Sequence, residues 1–131
     1  MILDDLTFGT FREVEPNIME IVIHEGVELR RSHIAQIERG LVGKYSSPYA
    51  CLVNRVNSYS HTHASMERVA KMQDLNRLAI LVYSSVAKHA AEVHKLFQEN
   101  LQVFDDRDEA IRWLRDSIVR NDETSSADSG S

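Results

Sequence analysis

Two short apolar runs, "YACLVN" at 49–54 and "LAILVY" at 78–83, constrain this chain more than anything else in it. Each is nearly uniformly apolar and bounded by polar or helix-breaking residues, as expected of a strand covered on both faces. Between them Met66, Val69, Ala70 and Gln73 recur on one side of a helix. Two doubly covered strands joined by a helix demand a right-handed crossover and a parallel pair. The runs are therefore expected to be adjacent, central and parallel.

The flanking segments extend the pattern. "FGTFREVE" alternates loosely, and "IMEIVIHEG" gives a strand with Ile21 and Ile23 on one face. Pro16 and Asn17 between them suit a tight turn, so an antiparallel hairpin is expected, ended by Gly26. Leu29, Ile34, Ile37 and Leu41 form a helical stripe closed by Gly40, Gly43 and Pro48. After the second run, Val86, Ala90, Val93 and Phe97 have helical spacing behind a Ser85 cap. "LQVF" is a short strand. Asp106 and Glu109 form a variant capping box ahead of a stripe of Ala110, Ile111, Leu114 and Ile118. The order β-β-α-β-α-β-α-β-α predicts an α/β domain over residues 1–119: a mixed four- to five-stranded sheet, hairpin then crossovers, flanked by four helices. Residues 120–131 carry no large apolar side chain and are expected to form a disordered tail.

Charge and composition exclude several classes. The net charge of −5 argues against a nucleic-acid binder, which needs a clustered basic surface. Arg30, Arg31, Arg39 and Lys44 around the first helix read as a solvated face, with anionic lipid or an acidic partner as the alternative. No apolar run approaches the roughly 20 residues that span a bilayer. The opening "MILDDLTFGT" carries acids where an export signal carries bases, and the single cysteine, Cys51, fits a reducing compartment. A cytoplasmic location with Cys51 as a buried, inert thiol is expected.

"NRVNSYSHTH" at 54–63 is the polar stretch that follows the first run. Together with "RLAILVYSSVAKHAAEV" and "VFDDRDEAIRWL", it resembles the SpoIIAA-like (STAS/CRAL-TRIO-related) family of small bacterial proteins, over roughly residues 8–118. The resemblance implies a SpoIIAA-like, STAS-type fold and a regulatory or binding module, not a catalyst. Anti-sigma antagonists of this kind place a serine in an Asp-Ser-(Ser/Thr)-Gly motif at a helix start, and its phosphorylation blocks partner binding. The corresponding turn here is Asn57-Ser58-Tyr59-Ser60, so Ser58 and Ser60 are the candidate phosphosites, although the aspartate and glycine are missing.

Residue chemistry points the same way. His61 and His63 in "HTH" lack the three or four convergent partners of a zinc site and read as solvent-facing, while His89 and His94, five apart, do not share a helix face. No metal or cofactor is expected. No Gly-x-Ser-x-Gly elbow or glycine-rich phosphate loop is present, so no catalytic residue is assigned. In parallel sheets ligands bind beyond the carboxyl ends of the strands, beside helix N-termini. Those ends carry Asn54, Arg55, Asn57, Ser58, Tyr59 and Ser60 from one loop and Tyr83, Ser84 and Ser85 from the other. Asn57, Ser58, Ser60, Ser84 and Ser85 are expected to converge there, with Arg55 supplying a charged contact.

Two functions fit these residues. One is a protein-interaction module with an unknown protein partner. The other is a binder of a small amphipathic, lipid-like ligand, or a protein that associates peripherally with a membrane. A lipid carrier needs a closed apolar pocket of roughly several hundred Å³, for which about 110 ordered residues leave little room unless a helix lifts away. A filled core with a polar loop edge favours the first function; a cavity under a helix favours the second. Phe8, Phe11 and Ile18 exceed what one face of a short hairpin buries, which leaves two expectations: a homodimer, or packing of all three under the first helix.

Overall fold

The computed structural model describes Leu3 and residues 6–130, with side chains placed as far as Ile118. The hairpin forms from β1 (Gly9–Glu15) and β2 (Ile18–Ile23). Asn17 takes the left-handed conformation that the turn requires, at φ 65°, and its amide ties the turn to Ser47 and Pro48. Gly26 ends the hairpin at φ 79°, where a side chain would be strained. A two-residue strand, β3 (Glu28–Leu29), precedes α1 (Arg31–Lys44). β4 (Tyr49–Asn54) is followed by a second short strand, β5 (Ser60–His61), and then α2 (His63–Val69). β6 (Leu75–Leu81), α3 (Ser85–Lys95), β7 (Leu101–Phe104) and α4 (Arg107–Gly130) complete the chain. The tail expected over 120–131 lies outside the residues whose side chains are placed.

The main sheet runs β1-β2-β4-β6-β7, with β1 antiparallel to β2 and the other neighbours parallel. The two apolar runs are adjacent and central, as their burial requires: Cys51 faces Leu78 and Leu52 faces Ala79. Period-two alternation divides their side chains between two cores. Met19, Ile21 and Ile23 of β2 join Tyr49 and Cys51 of β4 and Leu78 and Ile80 of β6 beneath α1, α2 and α3. Ile18, Ala50, Leu52, Ala79 and Leu81 face Ala110 and Leu114 of α4 on the other side. The small residues Ala50 and Ala79 let α4 lie close to the sheet.

Three details differ from the sequence reading. α1 runs through Gly40 and Gly43, and Leu29 belongs to β3. At Gly40 a Cβ would meet the Leu3 side chain at 2.5 Å, so the glycine gives Leu3 its place against α1. β3 and β5 pair in parallel as a separate two-stranded sheet, with Glu28 opposite Ser60 and Leu29 opposite His61. Ser84, not Ser85, caps α3, its hydroxyl accepting from the Ala87 N–H at 3.1 Å. The hairpin's apolar residues are also absorbed. Ile18 is buried under α4, while Phe8 and Phe11 pack against the opposite core, Phe8 with its ring 4.6 Å from that of His33.

Candidate functional site

β4 and β6 end side by side, and the Arg55 N–H donates to the Leu81 carbonyl. The residues beyond those ends then part in three directions. Asn54 and Tyr83 turn to the α4 face, where the Tyr83 hydroxyl donates to Asn54 Oδ1 at 2.7 Å and the Asn54 amide donates to Glu20 at 2.9 Å. Glu20, only 5% exposed, also accepts from Arg107 and Arg12. The hydrogen bond from Arg107 holds its carboxyl down to about 2 against the opposing effect of burial. This network fastens the start of α4 across the sheet; it is structural.

Asn57 and Ser58 turn the other way. The Asn57 amide donates to the Ile23 carbonyl, the Ser58 N–H donates to Glu25, and the Ser58 carbonyl accepts from Gly26. Ser60 is exposed within β5. The chain thus spends residues 55–62 pairing with the β2–β3 connection before α2 begins. Thr62 caps α2, its hydroxyl accepting from the Ser65 N–H at 3.1 Å. Neither Ser58 nor Ser60 stands at a helix start, so the phosphoserine geometry implied by the resemblance is not reproduced. Ser84 and Ser85 line a separate cleft of about 440 Å³ with Val82, Tyr83, Lys88 and Asp105. The five polar residues share an end of the sheet but not a common volume.

Arg55 and Tyr59 take the third direction, and here the structure brings together what the sequence reading left apart. The Arg55 guanidinium lies 4.4 Å from the centre of the Tyr59 ring and donates to the Tyr59 carbonyl at 2.9 Å. No carboxylate lies within 4.0 Å of it among the described residues. The next rings follow in sequence: Tyr59 to His61 at 5.7 Å, and His61 to His94 of α3 at 5.0 Å, edge to face. His61 was expected in solvent; it is partly buried, because β5 turns it inward behind Tyr59. His63 does face outward and pairs with Glu67.

The hydrogen bonds fix one tautomer. Ser65 gives its single hydroxyl proton to the Thr62 carbonyl at 2.8 Å, so the 3.0 Å contact with His61 Nδ1 is a bond that the imidazole donates. His61 Nε2 is then the unprotonated nitrogen. The same bonding leaves Ser65 without a base to activate it. His94 is 5% exposed, and its Nε2 is buried with no hydrogen-bond partner. Burial, aided by the nearby Arg55 charge, lowers both imidazoles, His61 to about 3 and His94 to about 4, and His94 also acts on His61.

These four residues form the boundary between two spaces. Inward is an apolar cavity of about 50 Å³ between the sheet and α1–α3, walled by residues such as Ile21, Ile37, Val53, Val69 and Ile80. Outward, the same Arg55, Tyr59, His61 and His94 line a groove of about 310 Å³ with Ser60, Met66 and the Ala90–Val93 side of α3. Cys51 lies on the cavity wall, its thiol pushed by burial up to about 12 and so inert near neutrality. Among the described residues, no group of three or more His, Cys, Asp or Glu could hold a metal ion. No helix among them is long and apolar enough to cross a membrane.

Helix α3 covers this site in an unusual orientation. The stripe expected to be buried, Val86, Ala90, Val93 and Phe97, is mostly turned outward: Val86 is 79% exposed, Val93 is exposed and only Phe97 is half-buried. What faces the sheet is Ala87, Ala91, His94 and Gln98, and Gln98 Oε1 is a second buried atom without a partner.

The hairpin, the three helical crossovers and the division of helices between the two faces define a SpoIIAA-like fold. The chain is similar to a solved structure of an uncharacterized protein from the DUF3478 family with a SpoIIAA-like fold, from Shewanella loihica PV-4. The likeness has a TM-score of 0.52 and 15% identity, and covers 81% of this chain and 91% of that one. No family model and no curated protein matches the sequence.

Proposed function

We propose that this chain is a non-catalytic binding module that takes a small amphipathic molecule beneath α3. The carrying observation is the apolar cavity whose boundary with the outer groove is Arg55, Tyr59, His61 and His94. Pockets of this kind, apolar within and edged by a few polar groups, suit a ligand with a hydrocarbon part and one polar end. At about 50 Å³ the cavity is well below the roughly 300 Å³ at which ligand pockets begin, so a hydrocarbon chain enters only if α3 moves outward. That helix is suited to moving: its buried contacts are small or polar and its larger apolar residues already face out. The non-catalytic reading is supported by Ser65, whose hydroxyl is committed to a backbone carbonyl.

Displacement of an environment-sensitive apolar dye by candidate ligands tests this reading, together with native mass spectrometry of protein from its own host. Val53→Phe, which fills the cavity from β4, should lower dye binding at least about tenfold while the fold is kept. Unchanged dye binding in a folded Val53→Phe protein would place the dye elsewhere and remove the support.

A regulatory protein-interaction role is the second reading, favoured by the exposed Val86, Val93 and Leu96 along α3 and its C-cap. These residues, not the hairpin, would form the contact if the partner is a second copy. Sedimentation at micromolar concentration, comparing the native chain with Val93→Glu/Leu96→Glu, separates the cases. A dimer that persists in the double variant would exclude this face.

A further inference from the structure

We propose that the mouth of the cavity recognises a carboxylate, so that the ligand is an amphipathic monocarboxylic acid held by Arg55 and His94 Nε2, with its hydrocarbon part in the apolar space that widens as α3 moves outward. This inference rests on the binding reading above and adds the chemistry of the polar end.

Two independent features carry it. Arg55 is a permanent cation beside an apolar cavity with no carboxylate in reach among the described residues, and it uses one donor on the Tyr59 carbonyl. A guanidinium presents five N–H groups in a planar fork that matches a carboxylate, so most of its donor capacity is uncommitted. The second feature is His94 Nε2, buried and without a partner. An unpaired buried nitrogen is costly whether or not it carries the proton, and native structures seldom retain one without a use. Both residues line the inner cavity and the outer groove, so one group placed between these spaces meets both.

The charge count selects the class of anion. Among the residues lining the cavity and groove, Arg55 is the only Lys or Arg, and the two imidazoles beside it are neutral near pH 7. A phosphate monoester, at about −2, would enter a half-buried site with one compensating charge and too few donors. A carboxylate matches one guanidinium and one imidazole N–H. An ammonium would meet the like charge of Arg55, and a neutral alcohol would leave the guanidinium uncompensated. Bound carboxylate also favours the protonated imidazole, so binding takes up a fraction of a proton that grows as pH falls.

Titration calorimetry of the full chain with octanoate, 1-octanol and octylamine tests this, with proton uptake read from buffers of different ionisation enthalpy. Octanoate is expected to bind at least about tenfold more tightly than 1-octanol, and octylamine more weakly still. Arg55→Gln should reduce octanoate affinity about tenfold or more and leave 1-octanol within about twofold. His94→Phe, which keeps the ring and removes the nitrogens, should weaken octanoate and abolish the proton uptake. Circular dichroism melting confirms that each variant is folded. Should octanoate and 1-octanol bind alike, and Arg55→Gln affect both equally, the carboxylate inference falls while the binding reading stands. Should none of the three bind the native chain, both fall.

Discussion

At the scale of single residues, two kinds of buried titratable group set how stability depends on pH. Glu20 has a folded pKa of about 2, below its ordinary 4.5, through Arg107 first and then Asn54 and Arg12. Its contribution is complete above pH 4.5 and is lost as pH falls toward 2. His61 and His94 are lowered from 6.5 to about 3 and about 4. The unfolded chain therefore takes up protons first, and stability declines as pH falls from about 6.5 toward 4. The charged or titratable groups around the rings are each other, Arg55 and Tyr59, with Cys51 on the same cavity wall. Urea unfolding between pH 7.5 and 4.5 should show a loss on the order of 3 kcal/mol. His94→Leu should remove about half of that loss, His61 keeping the rest; an unchanged slope would show that the imidazoles are not the cause. Arg107→Ala should cost about 2–3 kcal/mol at pH 7, since it leaves Glu20 buried with weaker partners. Little of this was legible in the sequence. Arg55 stands out in the sequence by its charge, but a polar stretch after a strand reads as a solvated loop, which puts His61 in solvent. The inward turn comes from β5 pairing with β3, a contact between segments about 30 residues apart.

At the scale of elements, the contrast between α3 and α4 shows what periodicity can and cannot decide. In α4 the stripe Ala110, Ile111, Leu114 and Ile118 does pack on the sheet, because no competing stripe exists on that helix. α3 carries two, and the helix turns the smaller and more polar one inward, Ala87, Ala91 and His94, with Gln98 buried just beyond its end. Spacing finds the stripes but does not choose between them. The alanines allow close approach to the sheet, and the choice leaves Val86 and Leu96 in water at 79% and 83% exposure. An element held by so little apolar burial opens at low free-energy cost. Hydrogen exchange should therefore find the α3 amides the least protected of the helices α1 to α3, and those of β4 and β6 the most. Val93→Lys should change stability by no more than about 0.5 kcal/mol, whereas Ala91→Leu, at a fully buried site, should cost about 1–3 kcal/mol. Equal protection of α1 and α3 would contradict the picture of α3 as the movable cover.

At the scale of the whole molecule, the strand order was legible because uniform apolar runs have one stable placement, the middle of a parallel sheet, and the helices between them permit one handedness. Volume was not legible. The cavity exists because α1, α2 and α3 each contribute side chains of moderate size to one face, and no local pattern reports the space that is left over. That space makes the two faces unequal: the α4 face is filled and fastened by Glu20 and Arg107, while the α1–α3 face keeps a cavity under its most lightly held helix. A ligand taken up on the second face should stabilise the folded state without altering the first. Octanoate at about one hundred times its dissociation constant should add about 2.7 kcal/mol to the unfolding free energy, which for a domain of this size raises Tm by roughly 5–10 °C. The added hydrogen-exchange protection should be concentrated on α3 and residues 55–62, since they open first in the free chain. The α4 amides should gain no more than the global increment. Protection spread evenly over both faces would mean that α3 does not open separately. A rise in Tm that survives in a folded Val53→Phe chain would place the ligand outside the cavity.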